Sequence, residues 1–119
     1  MNIESLRDYC LSKKGATEDF PFDETSLVFK VKNKMFALTD LEGDLMVNVK
    51  CNPEIAIKLR EEYSFVTPGY HMNKKHWNTI IIHETVPDNF VKKWIDHSYK
   101  LVVKSLSRKN QAELNQSDL

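Results

Sequence analysis

Between positions 68 and 78 the chain reads Pro68-Gly69-Tyr70-His71-Met72-Asn73-Lys74-Lys75-His76-Trp77-Asn78. Two of the four histidines, one of the two tryptophans, two adjacent lysines and two asparagines gather there. Lysine and histidine supply hydrogen-bond donors, and tyrosine and tryptophan supply flat apolar faces. That combination suits a phosphate backbone with bases to stack on. His71 and His76 are five apart, which is not the i, i+4 spacing of helical zinc sites, and the run holds no thiol or carboxylate. No metal and no cofactor is therefore expected. A histidine could serve as a general base beside Thr67 or Tyr70. No nucleophile elbow, phosphate loop or paired-carboxylate motif accompanies it, so the expectation is a non-catalytic protein. A plainer reading stands beside these. Trp77 would anchor the loop in the core, with His71 and His76 bonded to main-chain carbonyls.

The scaffold for this run is 119 residues long, enough for one domain and too short for two. We place that domain at residues 1–109 and expect residues 110–119 to be a polar, frayed tail. No apolar run approaches the ~20 residues that cross a bilayer. Residues 1–5 lack the pattern of a signal peptide, so a cytoplasmic location with no membrane contact is expected. Cys10 and Cys51 read as buried thiols of a reducing compartment. The formal net charge is zero but unevenly spread. Residues 1–63 carry 9 Lys and Arg against 12 Asp and Glu, and residues 64–109 carry 8 against 3. The C-terminal half is therefore basic, and local charge decides what a surface attracts.

Periodicity supplies the elements that must hold the run. Asn2 caps a helix to about Lys14 with Ile3, Leu6 and Cys10 on one face, and Gly15 stops it. Residues 16–24 read as an acidic connection pinned by Phe20-Pro21-Phe22. Three strands follow, around Leu27 to Val31, Met35 to Thr39 and Leu45 to Lys50, with Lys32-Asn33-Lys34 as a tight turn. Their period-two alternation predicts an antiparallel meander, with Lys30, Asn48 and Lys50 on its more polar face. Asn52-Pro53-Glu54 is a helix start. Phe65-Val66-Thr67 and Thr79-Ile80-Ile81-Ile82 read as strands. A last helix begins near Pro87-Asp88. It buries Val91, Trp94, Ile95 and Val102, and turns Lys93, His97, Lys100, Lys104 and Arg108 outward as a solvated face. The predicted order is α-β-β-β-α-β-β-α, an α+β domain with helices flanking an antiparallel sheet.

The chain also resembles the MmcQ/YjbR family, from Tyr9-Cys10 to about Lys109. The markers are Lys14-Gly15-Ala16, Pro21-Phe22, Lys34-Met35-Phe36-Ala37, Pro53-Glu54, the whole run from Pro68 to Asn78, and Ser98-Tyr99. The resemblance implies a YjbR-like topology similar to secretion-chaperone-like domains. It also implies DNA as the partner, met by wing-like elements of the sheet. The family's signature residues carry over to His71, Asn73, Lys74, His76 and Trp77. Asp23-Glu24 is more acidic than the family pattern and sits poorly with DNA if it lies near the contact face.

Taken together, the expected function is DNA binding. Lys74 and Lys75 would meet phosphates, and His71, Asn73 and His76 would order the loop. Tyr70 would stack, Trp77 would chiefly anchor, and Lys32 and Lys34 would form a second basic contact. The alternative is a module that binds a protein or a small ligand, with the cluster structural or lining a pocket. A concave apolar pocket beside His71 would favour a ligand; a continuous convex basic surface would favour DNA. A monomer is expected, or a weak homodimer through an exposed edge strand.

Overall fold

The computed structural model describes residues 1–116. Asn2 opens α1 (Ile3–Leu11): its Oδ1 accepts the Ser5 N–H at 2.8 Å, and the Ser5 hydroxyl accepts the Asn2 N–H at 2.9 Å. Each side chain thereby satisfies a donor that the first helical turn leaves unpaired. Leu6 and Cys10 fill the buried stripe, and Gly15 reverses the chain at φ +72°.

The next segment corrects the sequence reading. Residues 16–19 are not a connection but β1 (Ala16–Asp19), paired with β2 (Ser26–Val31) from Ala16↔Val31 to Asp19↔Val28. A ladder needs only main-chain donors and acceptors, so this outer strand forms without apolar alternation. β2 turns into β3 (Lys34–Asp40) at Lys32 and Asn33, whose φ values of 47° and 66° match a two-residue hairpin of the primed kind. β4 (Met46–Lys50) follows, then α2 (Pro53–Glu62), with Asn52 Oδ1 accepting from the Glu54 and Ile55 amides. β5 (Val66–Pro68) and β6 (Trp77–Ile81) complete an antiparallel sheet of order β1-β2-β3-β4-β6-β5. β6 begins at Trp77, earlier than expected, so the indole belongs to the sheet.

α3 (Asp88–Lys104) ends sooner than predicted, and α4 (Arg108–Gln116) follows. Residues 110–116 are thus helical rather than frayed, and residues 117–119 lie outside the described residues. Ser107 Oγ accepts the Asn110 N–H at 3.1 Å, and Leu114 is buried. A Cβ placed on Gly15 would lie 2.5 Å from Leu114 Cδ1, so a side chain here would displace the end of that leucine of α4.

α1, α2 and α3 cover one face of the sheet. There Leu27, Phe29, Val31, Val47, Val49 and Ile80 meet Leu6, Ala56, Leu59, Val91, Ile95 and Val102. Ser98 bolts α3 to the sheet: its hydroxyl donates to Phe36 O at 2.6 Å and accepts the Lys50 N–H at 2.8 Å. The opposite face carries one row across all six strands: Asp19, Val28, Leu38, Asn48, Thr79 and Thr67, each the register partner of the next. Side chains alternate along a strand, so this row points away from the helices. Val28, Leu38, Asn48 and Thr79 are nonetheless buried.

Candidate nucleic-acid interface

The loop between β5 and β6 is held by main-chain and side-chain bonds before any ligand arrives. Gly69 N–H donates to Trp77 O at 2.9 Å, and a Cβ on Gly69 would lie 2.7 Å from Trp77 Cβ. Asn73 Oδ1 accepts the Lys75 N–H at 2.9 Å and the His76 N–H at 3.3 Å, an Asx-type turn. Arg60 reaches in from α2. Its Nε donates to Asn78 Oδ1 at 2.6 Å, and its Nη2 donates to the carbonyls of Lys74 and of Trp77, the latter at 3.2 Å. Sequence reasoning missed Arg60. Its only signal was a long cation beside the apolar stripe of α2, one turn after Ala56.

The predicted residues now separate into presented and structural ones. Tyr70 is 64% exposed, and its ring centroid lies 4.0 Å from that of His71. His71, Lys74 and Lys75 are exposed, and His71 adopts φ +57°. Lys74 Nζ bends back to Gly69 O at 3.3 Å. Asn73 is the loop's brace. His76 is half-buried and gives its carbonyl to the Cys51 amide at 2.8 Å. Trp77 is 9% exposed and anchors the loop. Lys32 and Lys34 sit on the β2–β3 hairpin. Lys32 Nζ pairs with Glu113 of α4 at 2.8 Å, and Lys34 Nζ reaches Ser105 O at 3.4 Å. The loop therefore brings Tyr70, His71, Lys74 and Lys75 together at its surface, and the hairpin lysines are engaged elsewhere.

Another element is fastened at the same junction. Asn52 N–H donates to His97 Nε2 at 3.2 Å, next to the Cys51 amide that binds His76 O. Consecutive amides of the β4–α2 junction thus fasten the loop on one side and α3 on the other. Burial, then the charges of Lys100, Lys104 and Lys93, hold His97 below the ordinary histidine range. A neutral ring suits its role as acceptor. Lys93 Nζ lies 5.2 Å from the centre of the Trp94 ring. A surface groove runs along this side of α3, lined among others by Lys92, Lys93, Trp94, His97 and Lys100. Lys93, His97 and Lys100 of the stripe that reads as a plain solvated face thus line a groove, together with the carboxylate-bearing Asp96.

Cys10 and Cys51 are buried free thiols, and burial pushes Cys10 up to about 12 and Cys51 up to about 11. Neither thiol is primed for nucleophilic work. Among the described residues, no helix is long and apolar enough to cross a membrane, and no three His, Cys, Asp or Glu side chains cluster as a metal site.

Comparison with known proteins ties this architecture to a group. The uncharacterised protein YjbR of Escherichia coli K12 is 33% identical over 117 residues, covering 98% of this chain and 99% of its own length. The uncharacterised protein YyaQ of Bacillus subtilis is 29% identical over 113 residues, covering 82% of this chain and 95% of its own. A crystal structure of a Deinococcus radiodurans protein with a DUF419 domain superposes with a TM-score of 0.89 at 38% identity, over 96% of this chain and 88% of that one. A Pseudomonas syringae crystal structure gives 0.72 at 26% identity, over 85% of this chain and 98% of that one. With the YjbR family profile matching residues 11–101, from the end of α1 to the last turns of α3, the chain belongs to the YjbR family.

Proposed function

We propose that the protein binds DNA, without catalysis, through a basic surface around the β4–α2 junction. What supports this reading above all is the paired attachment of His76 and His97 to the amides of Cys51 and Asn52. On this reading Lys74 and Lys75 of the loop and Lys93, Lys100 and Lys104 of α3 form two exposed sets of cations, tied to neighbouring residues of one junction. Residues 64–83 contain no Asp or Glu, so no acid on the loop offsets this charge. Phosphates need clustered positive donors, and a braced loop loses little entropy on contact. Tyr70 and His71 add flat faces for bases. On this reading α3 supplies further cations, while the Lys32 ammonium of the β2–β3 hairpin would have to exchange its exposed pairing with Glu113 to reach a phosphate.

The test is a titration with labelled duplex and single-stranded DNA at two salt concentrations. About four phosphate contacts give a slope of log affinity against log salt of roughly −3 to −4 on duplex. Replacing Lys74 and Lys75 together by alanine should flatten that slope by about two. An affinity indifferent to salt, or unchanged in the double variant, overturns the reading.

A further inference from the structure

The helix-free face of the sheet holds a cavity of about 320 Å³ beside His71, the feature that favours a small ligand; Tyr70 and His71, given stacking roles above, form part of its lining. It lies between the loop of residues 20–25 and Tyr70, His71 and Met72. Leu38 and Asn48 form part of its lining, along with the thioethers of Met35, Met46 and Met72. Three of the chain's four methionines meet there. Its volume falls at the lower end of the ~300–1,000 Å³ typical of small-molecule sites.

Asn48 gives the cavity its polar character. The Tyr70 N–H donates to Thr79 Oγ1 at 3.0 Å, and the Thr79 hydroxyl donates to Asn48 Oδ1. That relay fixes which end of the amide faces β6. Asn48 Nδ2 is left buried and without a hydrogen-bond partner. A shielded donor left unpaired carries its desolvation cost, which an incoming acceptor can recover. Methionine side chains are unbranched and give way readily, so they can admit an acceptor to that nitrogen.

The rim sets the charge of the occupant. Asp23 lies on it, and hydrogen bonds from Ser26 and Thr25 hold that carboxyl below the usual range, so it is ionised. Asp40 stands on the same rim, its Oδ1 accepting the Glu42 N–H at 2.9 Å. These two carboxylates disfavour an anion even with the imidazole of His71 in the same lining, and the surrounding thioethers penalise any bare charge. The aromatic edges of Phe22, 68% exposed, and Tyr70 stand on the walls, and sulfur packs well against rings.

We propose that this cavity binds a small uncharged aromatic molecule carrying a carbonyl acceptor, with the carbonyl meeting Asn48 Nδ2 and the ring held among Phe22, Tyr70 and the methionines. The site contains none of the lysines assigned to DNA, but it shares Tyr70 and His71 with that surface.

Benzamide and its near-isosteric anion benzoate are the probes, followed by NMR of the Asn48 side-chain amide and the methionine methyls. Benzamide should shift Asn48 Nδ2–H and the Met35, Met46 and Met72 methyls saturably, with benzoate at least tenfold weaker. Asn48→Leu keeps the shape and removes the donor, and should weaken benzamide at least tenfold. Met46→Phe fills the cavity from its wall and should do the same without touching the Asn48–Thr79 bond. The Lys74→Ala/Lys75→Ala variant should bind benzamide as the parent does, which separates this site from the DNA surface. Benzoate binding as tightly as benzamide, or full affinity in both cavity variants, overturns the proposal. So does the same set of methyl shifts appearing on concentrating the protein alone, which would make the face an interface between copies.

Discussion

Asn48 and Thr79 stand opposite each other across the β4–β6 ladder, on the face without helices, and their side chains are hydrogen-bonded. Both are buried, and the Thr79 hydroxyl also accepts the Tyr70 N–H. One hydroxyl therefore couples the sheet floor to Tyr70, the first exposed residue of the loop. Thr79→Val keeps the shape and leaves the Tyr70 donor and the Asn48 oxygen unpaired. We expect a loss of about 1–3 kcal/mol in urea unfolding, because buried groups stripped of partners carry their full desolvation cost. Amide exchange at Tyr70 should accelerate in the same variant.

Arg60 makes the second brace, with a guanidinium that reaches Asn78 Oδ1 and the carbonyls of Lys74 and Trp77. A lysine is a single point donor and cannot span three acceptors in a fixed fork. Arg60→Lys should therefore resemble Arg60→Ala more than the parent. Each should cost about 2–3 kcal/mol, as expected for hydrogen bonds to a charged group. Native-state exchange should show residues 70–76 opening while the α3 amides stay protected. On the DNA reading, both variants weaken binding although Lys74 and Lys75 remain, because a loosened loop must be ordered on contact.

Much of this was legible in the residues. β2 and β4 carry alternating sequence patterns, Leu27, Phe29 and Val31 in one and Val47 and Val49 in the other, and Asn2, Asn52 and Pro53 announce helix starts. β1 was not legible. Ala16-Thr17-Glu18-Asp19 has no apolar alternation; its pairing is main-chain, and Glu18 answers Arg7 at 2.7 Å rather than a core residue. α4 was hidden for a similar reason, since one buried leucine in a polar segment leaves almost no periodic signal. At the loop, Asn73 caps a turn and Trp77 starts a strand, in keeping with the ordering and anchoring roles that their types suggest. Arg60 is 14 residues from Lys74, and no local pattern connects a helix cation to carbonyls that far along.

His97 supplies a pH dependence. Its folded value lies below the ordinary one, through burial first and then Lys100, Lys104 and Lys93. The unfolded chain therefore binds more protons at this site, and stability rises with pH across the interval. The contribution is complete above the unfolded value of about 6.5 and is lost as pH falls through the folded value. Protonation also removes the Nε2 acceptor used by the Asn52 N–H. Urea midpoints measured from pH 7.5 down to pH 5 should fall for the parent. In His97→Gln, whose side-chain oxygen can still accept, the decline should be shallower.

Gly15 and Leu114 test whether α4 belongs to the folded unit. Leu114 is 4% exposed, so Leu114→Ala should cost about 2–3 kcal/mol, as for a leucine removed from a packed site. Gly15→Ala should cost 1 kcal/mol or more on two separate grounds. The residue holds φ +72°, and the new methyl would press on Leu114 Cδ1. Only the second ground involves Leu114. The double variant should therefore be more stable than the sum of the single losses predicts, by the share of the Gly15→Ala cost that comes from the clash. Strict additivity in urea unfolding would mean that the two positions do not touch in solution, and that α4 is not docked on the α1–β1 turn.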